Sequence, residues 1–455
     1  MARTSANRST SQVIRTYAAV DRAQAERSYL RERQQAATRG WVPRSRRWRS
    51  EGEEHVLTVV YESTDLADPF ADEPERAGSR TAEVTSRSLP WSVEQARERD
   101  AGRLTVETLD LHCAGEPLRL IRSGYPTVPQ LPINERGAWV REHADHIRRL
   151  LMYEPRGHRD MYGAVLLPPE RDDADVAVLF MHNEGYSTMC GHGVIALTQG
   201  LIEEGLYPAT TPVTEIRWET PAGLVTATAE VSVGVGAEPV VRSVRFVNVP
   251  SYLHAEGLIM RPRGVRLFGA AAERKGLAVQ LAFGGAYYGI VDVAELGMRV
   301  VPEQIDQLTR AGAAITEALR RDHTPEHPFD ESLSFVYGTI LVDSDPASSP
   351  DGLTGEATMR NVTVFAEAEV DRSPCGSGTS ALLAARHALG ASEVGDTIIN
   401  ASITGESFVA RVEGTTAIGQ HSGVITSVQG SGYVTGHGRF VLDERDPLGG
   451  GFLLR

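Results

Sequence analysis

The sequence predicts an α+β protein built on strongly curved sheets, and three observations carry that expectation. From residue 104 onward, short alternating apolar and polar runs follow one another at strand length. Glycines, 44 in the chain and dense in this region, punctuate those runs. Helix-compatible apolar series are few, and two of them open directly after a Gly-x-Gly turn. No G-x-G-x-x-G opens a helix after a first strand and no phosphate-loop motif occurs, which argues against a doubly wound nucleotide fold.

Along the chain, residues 1–102 differ from the rest. Residues 1–50 hold twelve arginines against three acids, and 51–102 hold five against thirteen, so a segment of +9 precedes one of −8. Val13, Tyr17, Val20 and Ala23 recur at helical spacing, which predicts a short amphipathic helix around 10–38. Pro43 and the acidic run Asp65–Glu75 read as linker. A poorly ordered N-terminal extension is the expectation, although its basic half could touch nucleic acid or an anionic surface. Strands are then predicted at Leu104–Leu111, Ala164–Leu167, Ala177–Phe180, Val225–Val233, Ser243–Val249, Ala278–Phe283, Gly289–Val293, Ser334–Val342, Arg360–Phe365, Ser407–Glu413, Gly423–Val428 and Ser431–Thr435. Gly430–Gly438 reads as a tight turn rather than a phosphate loop.

Composition excludes several function classes. The chain is long enough for a core without staples, and its three cysteines, Cys113, Cys190 and Cys375, show no C-x-x-C pair, so neither a disulfide framework nor a zinc knuckle is expected. Glu142-His143-Ala144-Asp145-His146 lacks the H-E-x-x-H order and reads as a solvated helix face. No run of 18 apolar residues exists, so membrane spanning is disfavoured and the cytoplasm is the expected compartment. The remainder of the chain carries −15, for −14 in all, a poor balance for binding phosphate backbones. Lys275, in Glu273-Arg274-Lys275-Gly276, is the single lysine and reads as a solvated turn, so no Schiff-base cofactor is expected.

One pattern occurs twice. Met189-Cys190-Gly191-His192-Gly193 leads into Val194-Ile195-Ala196-Leu197, and Pro374-Cys375-Gly376-Ser377-Gly378 leads into Thr379-Ser380-Ala381-Leu382. The cysteines are 185 residues apart, as two related halves facing one another would give. A thiol at a helix N-terminus meets the positive end of the dipole and free N–H groups, which predicts a depressed thiol pKa. Glycines let the same N–H groups approach a carboxylate. Two such turns together suggest one thiolate removing a proton from a carbon while the opposite thiol delivers one to the other face. N–H donors on the carboxylate stabilise the dianion formed by proton loss α to it, and no metal or cofactor is required. Either cysteine alone would read as a small buried hydrophobe; the duplication is what favours chemistry. His192 is a surface cap or a substrate contact, and Asp371 either pairs with Arg372 or meets a substrate ammonium. Cys113, in no such turn, reads as packing.

The two blocks, Met189–Gly193 and Asp371-Arg372-Ser373-Pro374-Cys375-Gly376-Ser377-Gly378-Thr379, resemble the signatures of the proline racemase family, which also contains hydroxyproline 2-epimerases and trans-3-hydroxy-L-proline dehydratases. Supporting stretches are His112…Gly115-Glu116-Pro117-Leu118-Arg119, Glu154-Pro155-Arg156-Gly157-His158 and Phe283-Gly284-Gly285-Ala286-Tyr287-Tyr288. The resemblance covers about 103–455. It implies a fold like diaminopimelate epimerase: two similar domains of curved sheets around a central helix, at 103–240 and 241–433, with the last strand, about 434–455, returning to the first. The active site then lies at the domain interface. By the same resemblance Cys190 and Cys375 are the acid and base, Asp371 and His192 face the ring nitrogen, and the amides of Gly191, Gly376 and Ser377 hold the carboxylate. The implied partner is a small imino acid, and a homodimer is compatible with it. Against the usual His-Thr-Gly-Gly-Glu, the chain reads His112-Cys113-Ala114-Gly115-Glu116.

Asn183–Met189 and Ser334–Leu341 look most like the dehydratase branch, where threonine typically replaces the second cysteine. A dehydratase takes one α-proton and releases the C3 hydroxyl, with no donor needed on the far face, whereas inversion requires a thiol on both. Inversion of proline or hydroxyproline therefore ranks first and dehydration second. A non-catalytic amino-acid-binding module would need the cradle but not two thiols.

Overall fold

The computed structural model describes residues 11–19, 42–51, 54–63, 79–82, 104–234, 238–344 and 357–454. The chain divides into two compact units, one holding 1–92 and 171–173 and the other 93–170 and 174–455. In the first, β1 (Ser11–Ala19), β2 (Val42–Glu51), β3 (Glu54–Ser63) and β4 (Ser79–Ala82) form an antiparallel sheet in the order β2-β3-β1-β4. The helix expected around 10–38 is therefore a strand over 11–19, and its remainder lies outside the described residues. Val13, Tyr17 and their neighbours Ile14 and Thr16 are β-branched or aromatic types that favour strands, which overrides the weak helical spacing. Pro43, expected in a linker, sits in β2 beside a register shift between Pro43 and Ser45, where a ladder tolerates the missing N–H. The acidic run Asp65–Glu75 lies outside the described residues.

The second unit is a mixed, sheet-rich α+β fold. Its first series is β5 (Leu104–Cys113), β6 (Glu116–Ser123), α1 (Ile133–His143), α2 (Asp145–Met152), β7 (Tyr162–Leu167), β8 (Val176–His182), β9 (Tyr186–Ser187), α3 (Gly191–Glu203), β10 (Val213–Thr220), β11 (Gly223–Val233) and β12 (Pro239–Val247). After β13 (Ser251–Met260) and α4 (Gly269–Arg274) comes a second series: β14 (Leu277–Phe283), β15 (Tyr287–Asp292), α5 (Ile305–Asp322), β16 (Val336–Asp343), β17 (Ala357–Phe365), β18 (Glu369–Asp371), α6 (Gly376–Ala388), β19 (Thr397–Ala401), β20 (Ser407–Ile418) and β21 (His421–Gly430). The chain closes with β22 (Gly432–Leu442).

Pairing repeats between the series. β5–β6 is antiparallel, β6–β7 parallel, β7–β8 antiparallel, β8–β10 parallel, then β10–β11 and β11–β12 antiparallel. β14–β15, β15–β16, β16–β17, β17–β19, β19–β20 and β20–β21 follow the same sequence of orientations. Each parallel step needs a crossover, and the helices supply it: α1 and α2, then α3, in the first series; α5, then α6, in the second. β22 pairs antiparallel with β5 as β13 does with β14, so the C-terminal strand completes the first series. β12 joins β21 to make one continuous sheet.

α3 and α6 are apolar nearly all round because they are enclosed. Every α3 residue from Gly191 to Ile202 and every α6 residue from Gly376 to Ala385 is buried. α3 packs on β5, β12 and β22, and α6 on β13, β14 and β21. Gly430–Gly438, read as a turn, is instead the end of β21 and most of β22. Gly432 has a packing reason: a Cβ there would lie 2.7 Å from the Ala196 Cα of α3. Glu142, His143 and His146 are exposed, as a solvated face requires, and Lys275 is the exposed left-handed cap of α4 at φ 57°.

Gly432→Ala should push the α3 backbone and cost about 1–3 kcal/mol, read as a lower urea midpoint at unchanged slope. Gly436→Ala, where a Cβ meets nothing within 4 Å, is the control. Equal midpoints for the two variants would contradict this account of the helix–strand contact.

Candidate active site

The two Gly-x-Gly turns meet. A Cβ on Gly191 would lie 2.5 Å from the Gly376 Cα, and one on Gly376 would lie 2.7 Å from the Gly191 Cα. Phe246 packs against both, its Cζ 2.9 and 3.0 Å from those positions. Only glycines allow two helix N-termini to abut this closely. Cys190 is the N-cap of α3 and its Sγ accepts the Gly193 N–H at 3.2 Å. Cys375 is the N-cap of α6, held at φ 60°, a left-handed conformation unusual for a residue with a Cβ. Its N–H donates to Ser373 Oγ at 3.1 Å. The third residue of each helix is a glycine whose added Cβ would strike the thiol, at 3.0 Å for Gly193 and 2.9 Å for Gly378. Each thiol thereby folds over the first turn of its own helix.

Both thiols line one cavity, together with Gly191, His192, Asp371, Gly376 and Ser377. Every site residue named from the sequence is therefore brought to one place. His192 is buried rather than a surface cap, with Nδ1 3.2 Å from Cys190 Sγ. Asp371 does not pair primarily with Arg372. It accepts the Ser373 N–H at 2.8 Å, while Arg372 reaches across to Glu116 and Asp160, each at 3.5 Å. Glu116 also accepts the Arg372 backbone N–H at 2.7 Å, so β6 of the first series fastens the loop that presents Asp371 and Cys375. Cys113 is buried at the end of β5 and does not line the cavity.

The protonation states correct one expectation. The thiols are raised, not depressed: burial pushes Cys375 up to about 12 and Cys190 well above its ordinary value, and the Asp371 carboxylate adds to both. The Gly378 and Gly193 amides pull the other way but are outweighed. Desolvation of the ionised form exceeds what one helix terminus returns. The same burial raises Asp371 to about 6 and lowers His192 to about 3, so the imidazole is neutral at pH 7.

Sequence reasoning missed the aromatic wall. Tyr162 of β7, Tyr288 of β15, Tyr337 of β16 and Phe365 of β17 also line the cavity, with Met189. Tyr288 and Tyr337 lay inside stretches quoted for the family resemblance, where their hydroxyls were the available signal.

Two outcomes follow from these shifts. In the empty protein, alkylation of Cys190 and Cys375 by iodoacetamide, followed by mass spectrometry, should still be accelerating above pH 9; a plateau below pH 8 would contradict the raised thiols. Folding raises the Asp371 pKa from 3.8 to about 6, so its proton binds the folded state more tightly. That contribution to stability is full below about pH 4 and lost as pH rises through 6. Asp371→Asn should accordingly raise Tm by about 2–4 °C at pH 8 and leave it unchanged at pH 4; the opposite pH dependence would refute the assignment.

Comparison with known proteins agrees with this geometry. Residues 108–453 match the family described as proline racemase. Trans-3-hydroxy-L-proline dehydratase of Bacillus cereus is 40% identical over 347 residues, covering 76% of this chain and 97% of the relative. The 3-hydroxyproline 2-epimerase of Burkholderia multivorans is 40% identical over 353 residues, covering 77% and 98%. The human trans-3-hydroxy-L-proline dehydratase is 38% identical over 368 residues, covering 80% and 99%. Among solved structures, a hydroxyproline epimerase from Agrobacterium vitis with bound trans-4-hydroxy-L-proline superposes with a TM-score of 0.68 at 30% identity, over 77% of this chain and 96% of that one. With a match over three quarters of its length and relatives at this identity, the chain belongs to the proline racemase family.

Proposed function

We propose that this protein is a cofactor-independent racemase or epimerase that inverts Cα of proline or a hydroxyproline. The single observation that supports it is the pair of thiols, Cys190 and Cys375, capping two abutting helix N-termini on one cavity. The Gly191, Gly376 and Ser377 amides receive the substrate carboxylate, and Asp371 with His192 faces the ring nitrogen. The protonated nitrogen offsets two causes of the raised thiol pKa, desolvation and the Asp371 charge, so one thiol can ionise with the ligand in place. That thiolate takes the Cα proton; the carbanion, its charge spread onto the carboxylate, takes a proton from the opposite thiol. The product is the inverted imino acid, and the thiols have exchanged protonation states. The scaffold for this is two similar halves, 103–240 and 241–433, with the C-terminal strand returning to the first, each half wrapped on its own buried helix and the site between them. Residues 1–102 lie outside the chemistry.

Dehydration of trans-3-hydroxy-L-proline is the second reading, favoured by the dehydratases at 38–40% identity. A thiol at 375 is superfluous to it and essential to inversion, which ranks inversion first. Proton NMR in D₂O with L-proline, trans-4-hydroxy-L-proline and trans-3-hydroxy-L-proline in turn separates the two. Deuterium at Cα with inversion is expected, and Cys375→Ser should lower that inversion ~10²–10⁴-fold. Loss of water from trans-3-hydroxy-L-proline, with no inversion of any of the three, would overturn the ranking.

A further inference from the structure

With the carboxylate held at the helix ends, the ring of the ligand must face the remaining wall, and that wall carries hydroxyls. Tyr162 donates to Ser187 Oγ, and Ser187 Oγ lies 2.7 Å from the Tyr337 hydroxyl. All three residues are buried. Three hydroxyls carry three protons, and the two bonds within the chain use two of them. Between Ser187 and Tyr337 either oxygen can donate; with Ser187 donating to Tyr337 the Tyr337 proton is the spare one, and Tyr337 is the member of that pair that lines the cavity. A buried donor without an acceptor is costly. Both hydroxyl groups also reach a thiol: Tyr162 hydrogen-bonds Cys190, and Tyr288 and Ser377, 2.7 Å apart, have Cys375 Sγ 3.9 and 3.8 Å from their oxygens. Tyr337 is also fixed in direction, since its ring stacks on Phe365 at 5.3 Å and 8°. Burial holds the Tyr162 and Tyr337 phenols well above their ordinary pKa, so both remain protonated donors.

We propose that Tyr337, fed by Tyr162 and Ser187 and held by Phe365, is a specificity residue that donates to a hydroxyl on the substrate ring, so that the site takes ring-hydroxylated imino acids in preference to proline. The inference rests on the reading of function above and adds to it the choice among its substrates. A hydroxylated ring offers the Tyr337 hydroxyl a partner inside the cavity that an unadorned pyrrolidine lacks, and sites built to bond a substrate hydroxyl reject the analogue without it.

The test compares the parent with Tyr337→Phe and Ser187→Ala on trans-3-hydroxy-L-proline, trans-4-hydroxy-L-proline and L-proline, measuring kcat/KM for removal of the α-proton in D₂O, read as deuterium at Cα or as dehydrated product, the step common to inversion and dehydration. The parent should prefer at least one hydroxyproline by about 10-fold or more. Tyr337→Phe should lower the ratio of kcat/KM on that hydroxyproline to kcat/KM on proline by about 10- to 100-fold. Ser187→Ala should shift the preference in the same direction, and melting curves establish that both variants fold. An unchanged preference, or an equal loss on all three substrates, overturns the role of Tyr337 and points instead to service of the thiols. Absence of exchange with all three substrates in the parent overturns the reading of function, and this inference with it.

Discussion

The contact between Gly191 and Gly376 is the constraint on which the rest of the site depends. Bringing two helix N-termini to van der Waals distance places two positive dipole ends and two sets of unpaired N–H groups around one point. That arrangement favours an anion at the point, which is the basis for assigning it to the substrate carboxylate in the proposed function. It also dictates local sequence. Glycine is required at both contact positions, since any Cβ would meet the opposite backbone at 2.5–2.7 Å. Glycine is required again two residues later, at 193 and 378, for the thiols to fold over the first turns. And the helices behind the contact must be apolar all round, because the sheets enclose them.

Burial then decides the electrostatics. A helix terminus alone favours a thiolate, but here desolvation dominates: both thiols and Asp371 are driven toward their neutral forms, and His192 is held neutral as well. The empty cavity thus resists charge of either sign. In the proposed function a zwitterionic ligand changes this in one step, with its negative end on the helix amides and its positive end on Asp371. Charge separation that is costly for the protein alone becomes favourable once both ends of the ligand are seated, which ties ionisation of a thiol to occupancy.

The parts legible in the sequence were those written locally. Alternating runs located twelve strands of the second unit but missed β6, β9, β10, β13, β18 and β19 and stopped short of the ends of β20 and β22, and the Cys-Gly-x-Gly turns located both thiols, because capping and turn chemistry are short-range. What depended on distant pairing was not legible. Tyr162, Tyr288, Tyr337 and Phe365 reach one wall only through the register of β7, β15, β16 and β17, which no local pattern announces. Glycines in Gly430–Gly438 signalled a turn, yet Gly432 is glycine because α3 lies against it. Over 11–19 a four-residue recurrence suggested a helix, and strand pairing with β3 and β4 prevailed. The depressed thiol pKa failed for a related reason: the dipole is visible in sequence, but the depth of burial that opposes it is a property of the assembled sheets.

The repeat also separates what is shared from what is not. Cys190 and Cys375, Gly191 and Gly376, and Gly193 and Gly378 occupy equivalent positions at the starts of α3 and α6. Proton transfer at two faces and carboxylate binding on an axis between them are tasks that equivalent positions can share. The second residue of each helix breaks the equivalence: His192 lies 3.2 Å from its thiol, whereas Ser377 lies 3.8 Å from its own and bonds Tyr288. Asp371 adds a carboxylate at one thiol's approach, and the Tyr162–Ser187–Tyr337 chain adds hydroxyls elsewhere on the wall. A chiral ring with its nitrogen on one side of Cα and a substituent on the other needs that asymmetry to be oriented. On the proposed reading, the duplicated scaffold supplies chemistry that is indifferent to direction, and the unduplicated residues supply the orientation.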